Sequence, residues 1–388
     1  MLPRELKLPK KNSFFLFGPR QVGKTSLVRM SLGSEKQLHY DLLRSAEYFR
    51  LTARPGLLSE EIAAVRASID YVIIDEIQRI PALLDEVHRL IESAEPPVFV
   101  LTGSSARKLK RSGSNMLGGR AWNLKLFPLT HRELGEHFNL SRALSLGTLP
   151  KIYLSDDVSA HQFLRSYVET YLKEEIEAEA LVRSLGVFLR FLSLAAQESG
   201  NILNYATLSR DVATSAKTIK EYYSILEDTL IGNFLPAFHK STRKRLASHP
   251  KFYLFDTGVL RALNKMLTVP LEPQTSAYGT AFEHFIINEA IRLNSYVQLD
   301  FEFSYYRTEH GAEVDLIIER PGAVTLAVEI KSSENPSVSD IRGGLSSFRT
   351  IDPKARLLCV CNAPRRRNID EFEIMPWRDF FDEFFSPN

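Results

Sequence analysis

Gly18-Pro19-Arg20-Gln21-Val22-Gly23-Lys24-Thr25 is the stretch that decides the fold. It has the P-loop form Gly-x4-Gly-Lys-Thr, and its neighbours suit it. Phe14, Phe15, Leu16 and Phe17 form an apolar strand candidate running into the loop; Ser26 to Met30 form a helix candidate leaving it. A loop held this way turns successive main-chain N–H groups inward, toward phosphate oxygens. Gly18 and Gly23 permit the backbone angles and the close approach. Lys24 brings a cation to the β- and γ-phosphates, and Thr25 offers a hydroxyl to Mg2+. The expected phosphate-binding set is Gly18, Pro19, Arg20, Gln21, Val22, Gly23, Lys24, Thr25 and Ser26.

Tyr71-Val72-Ile73-Ile74-Asp75-Glu76 supplies a Walker B pattern, a short β-rich apolar run ending in two carboxylates. Asp75 would hold the Mg2+ shell beside the P-loop, and Glu76 would polarise the attacking water. The bland alternative is an acidic turn after a strand. A complete P-loop about 50 residues upstream disfavours it.

At 388 residues the chain has room for two or three domains. Apolar content of 44% and charge of 25% are those of a globular protein. A net charge of +2 is too small to imply a polyanion partner, so any nucleic-acid surface must be a local patch. Cys359 and Cys361 share one face of a strand candidate, which favours core packing over a strained disulfide. No stretch approaches the ~20 apolar residues of a membrane span, and no signal-peptide core is visible, so a cytoplasmic protein without a membrane partner is expected.

Residues 1–154 alternate strand candidates (14–17, 37–41, 71–75, 98–102) with helix candidates, which indicates an α/β fold with a parallel sheet. Residues 155–270 form a second domain, all-helical from about 155 to 235. Phe188, Phe191, Leu192, Ala195 and Ala196 share a core face there. Helix candidates at Ala206–Ala213 and Lys217–Leu230, joined by a polar turn, have a helix-turn-helix cadence. Residues 271–388 form a third domain, a helix from Ala281 to Leu293 followed by β-rich segments. The segment 264–279 is the linker candidate.

The last third carries a spaced set of charges: Glu283 in a helix, Asp315 in Glu313-Val314-Asp315, and Glu329 and Lys331 in Val328-Glu329-Ile330-Lys331. Glu329 and Lys331 lie two apart on a strand and point the same way. Glu283, Asp315 and Glu329 could surround one metal with oxygen ligands, with Lys331 steadying a nucleophilic water or developing charge. This constellation resembles the PD-(D/E)xK core of restriction-endonuclease-like domains. A surface hairpin of alternating charge, or a domain of that fold used only for binding, stays open.

Taken end to end, the chain resembles a family of bacterial and archaeal AAA+-type ATPases with a C-terminal domain of unknown function. The stretches that carry the resemblance are Gly18 to Thr25, Asp75-Glu76-Ile77-Gln78, Leu101-Thr102-Gly103-Ser104-Ser105, Gly119-Arg120-Ala121, Tyr167 to Leu172, and the Glu313-Val314-Asp315 and Glu329-Ile330-Lys331 segments. The resemblance implies an AAA+-like P-loop NTPase sheet, then a helical and winged-helix domain, then a restriction-endonuclease-like α/β domain. It implies ATP and Mg2+ as ligands and ATP hydrolysis. It places a γ-phosphate sensor at Ser104, with Thr102 second. It makes Arg120 the candidate arginine finger of a homo-oligomer such as a hexameric ring, against a plain surface arginine. Sensor-two candidates Arg165 and Arg183 are weak.

Lys240, Arg243, Lys244, Arg245 and Lys251 follow the helix-turn-helix candidate, where the wing of a winged helix would sit. Lys217, Thr218 and Lys220 begin the longer helix, where recognition helices approach DNA. DNA is the expected partner, with a solvated basic loop as the alternative. Three functions remain: an ATP-driven machine acting on duplex or branched DNA, a nucleotide-dependent signalling switch with an inactive, nuclease-like docking domain, or, more narrowly, a C-terminal domain that cleaves DNA on its own with Mg2+ or Mn2+.

Overall fold

A computed structural model describes the chain apart from residues 1, 34, 108, 110–116, 173–184, 242–244, 246, 247, 387 and 388, and the side chain of Tyr171. The chain divides into two compact units. Among the described residues, one comprises 2–129 and 224–231, and the other 130–172, 185–223 and 232–386.

The first unit contains β1 (Ser13–Phe17), α1 (Lys24–Leu32), β2 (Gln37–Asp41), α2 (Ser45–Ala53), α3 (Leu57–Val65), β3 (Tyr71–Asp75), α4 (Leu83–Ile91), β4 (Val98–Gly103) and β5 (Ala121–Lys125). The strands form one sheet in the order β2-β3-β4-β1-β5, with every neighbouring pair parallel. β1 and β3 are buried along their whole length, which is why their sequences are continuous apolar runs rather than alternating ones. Phe15, Phe17, Val72, Ile74, Phe99 and Leu101 of the sheet pack with Leu58 and Ile62 of α3 and Leu83, Leu84 and Val87 of α4. This P-loop NTPase-like α/β sheet carries the four expected strands as β1 to β4. β5 was not expected: Ala-Trp-Asn-Leu-Lys is a half-exposed edge strand with no sustained apolar run. Because β4 lies between β1 and β3, the C-terminal ends of these strands come together, the usual place for a ligand in an open parallel sheet.

The second unit contains α5 (Leu140–Leu146), α6 (Asp157–Ser166), α7 (Leu185–Gln197), α8 (Tyr205–Asp211) and α9 (Ala216–Asp228), which begins in it. Then come β6 (Gly232–Leu235), β7 (Lys251–Leu254), α10 (Thr257–Leu263) and α11 (Ser276–Val297). Last are β8 (Glu302–Arg307), β9 (Glu313–Glu319), β10 (Leu326–Lys331), α12 (Val338–Ile351), β11 (Arg356–Cys361), β12 (Arg367–Ile369), β13 (Phe372–Pro376) and α13 (Trp377–Phe384). The expected stripe on α7 is buried, and Phe188 and Phe191 pack edge-on or tilted against Tyr222 of α9. The all-helical reading to residue 235 needs correction. Gly232 breaks the helical pattern, and its missing side chain leaves room for the Phe252 ring, which would lie 2.4 Å from a Cβ there. Gly232 to Leu235 therefore pair antiparallel with β7. α11 also starts earlier than expected: the Thr275 hydroxyl caps it by accepting from Tyr278 N–H, and Gly279 lies inside the helix.

The C-terminal sheet is mixed, in the order β12-β13-β11-β10-β9-β8. β8, β9 and β10 are an antiparallel meander, and α12 carries the chain over to β11, parallel to β10. Cys359 and Cys361 are free thiols in its core.

Candidate functional sites

At the end of β1 the chain turns through Gln21 and Gly23 with φ of 65° and 98°, and α1 begins at Lys24. Gly23 is required by that angle. Gly18 is required by space: a Cβ there would stand 2.3 Å from the Leu126 carbonyl oxygen. Lys24 is buried, and its ammonium donates to the carbonyls of Gly18 at 2.7 Å and Pro19 at 3.1 Å. The Thr25 hydroxyl donates to Asp75 Oδ2 at 3.1 Å. Arg4 braces the loop by donating to the carbonyls of Val22 and Phe127, each at 2.7 Å. No motif in the sequence marked that contact.

The Walker B end is built on a kink. Glu76 adopts φ 62°, which turns its side chain away from the path of β3. Its N–H donates to the Thr102 hydroxyl at 3.3 Å, and that hydroxyl in turn donates to Asp75 Oδ1. Gln78 is buried; its amide nitrogen donates to Glu76 Oε2 at 2.5 Å and to Ser104 Oγ at 3.1 Å. The structure thus places Lys24, Thr25, Asp75, Glu76 and Ser104 at adjoining strand ends. Of the two sensor candidates, Thr102 touches Asp75 directly, and Ser104 reaches Glu76 through Gln78. Pro19, Arg20, Gln21 and Val22 form the loop itself, and Ser26 lies in the first turn of α1. A Thr hydroxyl and a carboxylate 3.1 Å apart fit the inner shell of a nucleotide-bound Mg2+, and Thr25 and Asp75 are the residues that would hold it.

Arg120 stands on the turn before β5, more than a third exposed, and its guanidinium donates to Glu92 Oε1 from Nε at 2.8 Å and from Nη2 at 2.5 Å. Arg165 is exposed on α6, and Arg183 lies outside the described residues.

The second constellation belongs to the second unit. β9 and β10 pair from Leu326/Ile318 to Val328/Leu316, and beyond that point the ladder gives up the Ile330 N–H. Asp315 Oδ2 accepts it at 2.7 Å. Lys331 Nζ donates to Glu329 Oε1 at 2.7 Å. Glu283 Oε1, from α11, accepts from the Tyr253 hydroxyl at 2.7 Å. The four expected residues are therefore brought to one region, but two further residues join them. Lys251 of β7 is almost wholly buried, 2.6 Å from Glu313 Oε1 and 3.6 Å from Glu283 Oε1. Burial, then the charges of Glu329 and Glu283, push the Asp315 carboxyl well above the ordinary range. Burial raises Glu329 to about 7 despite Lys331. Burial opposes the charge on Lys251, but Glu283, Asp315 and Glu313 more than offset it and leave the ammonium more basic than usual. Among the described residues no group of three or more His, Cys, Asp or Glu stands ready to enclose a metal ion. Lys251 stands against Glu313 and Glu283, and Lys331 against Glu329. A cleft of about 210 Å3 opens here, lined by Lys251, Tyr253, Glu283, Arg307 and Glu313 among others.

The basic wing is corrected in part. Lys251 is inside the carboxylate cluster, and Arg245 is bound to Glu302 and Glu319, each at 2.7 Å. Lys240 is exposed, whereas Arg243 and Lys244 lie outside the described residues. Lys217 and Lys220 are exposed on α9, with Thr218 half-buried between them.

Residues 10–135 match the AAA domain family, which supports an AAA-type P-loop ATPase for this part of the chain and nucleotide-dependent activity. Residues 137–269 and 278–380 match two domains of unknown function, DUF8612 and DUF4143. Uncharacterized proteins of Mycobacterium bovis and Mycobacterium tuberculosis are each 27% identical over 84% of this chain and 71% of their own length. An uncharacterized protein of Haemophilus influenzae is 22% identical over 66% of this chain and 65% of its own. Among solved structures, a Signal Transduction ATPase with Numerous Domains (STAND) protein with a tetratricopeptide repeat sensor, from Pyrococcus horikoshii, aligns at a TM-score of 0.23 and 11% identity. That alignment covers 75% of this chain and 46% of that one. No helix among the described residues is long and apolar enough to cross a membrane.

Proposed function

We propose that this chain is a Mg2+-dependent ATPase that couples hydrolysis to work on duplex or branched DNA. The observation that carries the ATPase reading is the hydrogen-bonded run from Thr25 through Asp75 to Thr102 and the Glu76 N–H, beside the P-loop lysine. Bound Mg2+ would supply charge neutralisation on the β- and γ-phosphates. Lys24, whose ammonium rests on loop carbonyls, exchanges them for phosphate oxygens. Glu76 orients the attacking water and takes its proton. Gln78 holds that carboxylate on a short tether to Ser104, the γ-phosphate sensor. Arg120, exposed at the edge of its unit, serves as the arginine finger of a neighbouring copy in a homo-oligomer, a hexameric ring being the arrangement expected.

The DNA half of the proposal is supported by the order α8, α9, β6, β7, which is a helix-turn-helix followed by a hairpin, and by exposed Lys217, Lys220 and Lys240. The nuclease-like reading is supported by the order of α11, the β8-β9-β10 meander, α12 and parallel β11 around Glu283, Asp315, Glu329 and Lys331. Asp315 and Glu329 are the residues that fit a divalent ion, since Glu329 Oε2 is buried without a hydrogen-bond partner. One observation favours the second reading, a signalling switch that binds protein: Arg245 and Lys251, two of the expected DNA-contacting cations, are already paired with carboxylates of this chain, Lys251 in the interior. ATPase rates measured with and without duplex and branched DNA, at two salt concentrations, separate the two. DNA stimulation that weakens with salt is expected; indifference to DNA at both salts sinks the DNA reading and leaves the switch.

A further inference from the structure

We propose that Lys251 is a built-in cation of the carboxylate cluster, so that the cluster accepts one divalent metal ion and not two. The inference rests on the metal-dependent, nuclease-like reading of this site and specifies its ligand.

The four carboxylates divide into two halves. Glu313 and Glu283 face Lys251, with Nζ at 2.6 and 3.6 Å. Tyr253 donates to the same Glu283 oxygen, and Arg307, half exposed, reaches Glu313 at 3.5 Å from the solvent side. Lys251 is not a surface side chain that happens to lie nearby. It starts β7, its main chain is fixed by pairing with Leu235 and by a bridge to Ile202, and its side chain is 5% exposed. An ammonium shut from water this far is retained only against matched negative charge.

The other half is Asp315 and Glu329. Asp315 Oδ2 is taken by the Ile330 N–H and Glu329 Oε1 by Lys331. Glu329 Oε2 remains buried without a partner in a residue that is 7% exposed. A lone carboxylate oxygen shut from water calls for a cation. Mg2+ and Mn2+ keep several waters and need only one or two protein carboxylates, which is what this half offers. Charge gives the same count. Lys251, Lys331 and Arg307 already set three positive charges against four carboxylates, so one divalent ion leaves the cluster close to neutral, whereas a second leaves a clear positive excess in a region screened from water.

Manganese titration read by electron paramagnetic resonance tests this on the full, nucleotide-free chain. An Asp75→Asn background removes the P-loop's ion from the count. One ion per chain is expected with Lys251 in place, and Lys251→Met should admit a second. Lys251→Arg should stay at one, and Asp315→Asn should lose the ion. Two ions with Lys251 present overturn the inference however the variants behave. So does a single ion in a folded Lys251→Met chain, or retention of the ion in Asp315→Asn; these leave the metal site itself standing. If Lys251→Met loses its native circular dichroism, Lys251→Gln replaces it, keeping the length and a donor for Glu313, with the same gain expected. No ion in any chain overturns the metal-site reading and the inference with it.

Discussion

Replacing Gly18 with alanine is a direct test of the P-loop geometry, because the reason for glycine there is spatial rather than conformational. The added Cβ would stand 2.3 Å from the Leu126 carbonyl oxygen and 3.1 Å from Val22 Cγ2. The carbonyl has little freedom to yield. Leu126 N–H donates to Phe17 O at 2.7 Å, and the preceding residues are paired with β1 as β5. An ordinary contact begins at 3.4 Å, so the loop must retreat by about 1 Å. The retreat carries the Gly18 carbonyl, on which Lys24 rests, and disturbs a Thr25–Asp75 distance of only 3.1 Å. A displacement of ~1 Å between reacting groups costs on the order of 10²-fold in rate. Overpacking adds about 1–3 kcal/mol of destabilisation. Steady-state ATPase kinetics, calorimetric nucleotide affinity and a thermal melt should be read together, with Gly56→Ala as control. Gly56 has φ −58° and no atom within 4 Å of an added Cβ, so it should behave as the parent. A Gly18→Ala protein with kcat/KM within about twofold of the parent would refute the claim that this carbonyl fixes the loop.

Lys24→Ala should weaken ATP binding by roughly 10- to 100-fold, the worth of one charged hydrogen-bond donor, and unchanged calorimetric affinity would remove Lys24 from the phosphate site. Glu76→Gln should bind ATP normally yet hydrolyse it about 10²- to 10⁴-fold more slowly; wild-type turnover would reassign the base. Lys217→Ala and Lys220→Ala should each lower the slope of log affinity for DNA against log salt by about 1, and an unchanged slope would take α9 off the duplex. His284 is buried, which lowers its pKa from 6.5 to about 4. A base depressed in the folded state contributes stability above its unfolded pKa and loses it as pH falls. The His284 contribution, up to about 3 kcal/mol, is lost between pH 6.5 and 4 and is read as the difference between denaturant melts of the parent and of His284→Gln, since the raised carboxyls Asp315 and Glu329 act with the opposite sign in both proteins; equal pH profiles for the two would contradict this.

What the sequence disclosed follows from what is local. Gly18 to Thr25 and Tyr71 to Glu76 combine an apolar run with the chemistry at its end, so strand, turn and helix can be read from a dozen residues each. β5 escaped because an edge strand needs no continuous apolar pattern, and Trp122 on it is half exposed. Lys251 was misread for a related reason. In sequence it closes a basic run next to an apolar strand, and nothing local marks it as interior. Its partners Glu283 and Glu313 lie about 30 and 60 residues further on, beyond the reach of any periodicity argument. Thr102 and Gln78 lay inside quoted motifs, but only the parallel register of β3 and β4 sets the Thr102 hydroxyl on Asp75.

The two sites hold their charges differently, and this orders what each can do. At the P-loop the Lys24 ammonium donates to the Gly18 and Pro19 carbonyls, and exchanging a carbonyl for a phosphate oxygen sets opposite charges at the two ends of the bond, which strengthens it. At the C-terminal cluster Glu313 and Glu283 already face Lys251, Glu329 Oε1 faces Lys331, and Glu329 Oε2 is buried without a hydrogen-bond partner. Such a site has a weaker pull on a cation and a stronger aversion to a second one. If the second site works on a phosphodiester, its metal should bind weakly in the free protein and more firmly once a phosphate adds negative charge.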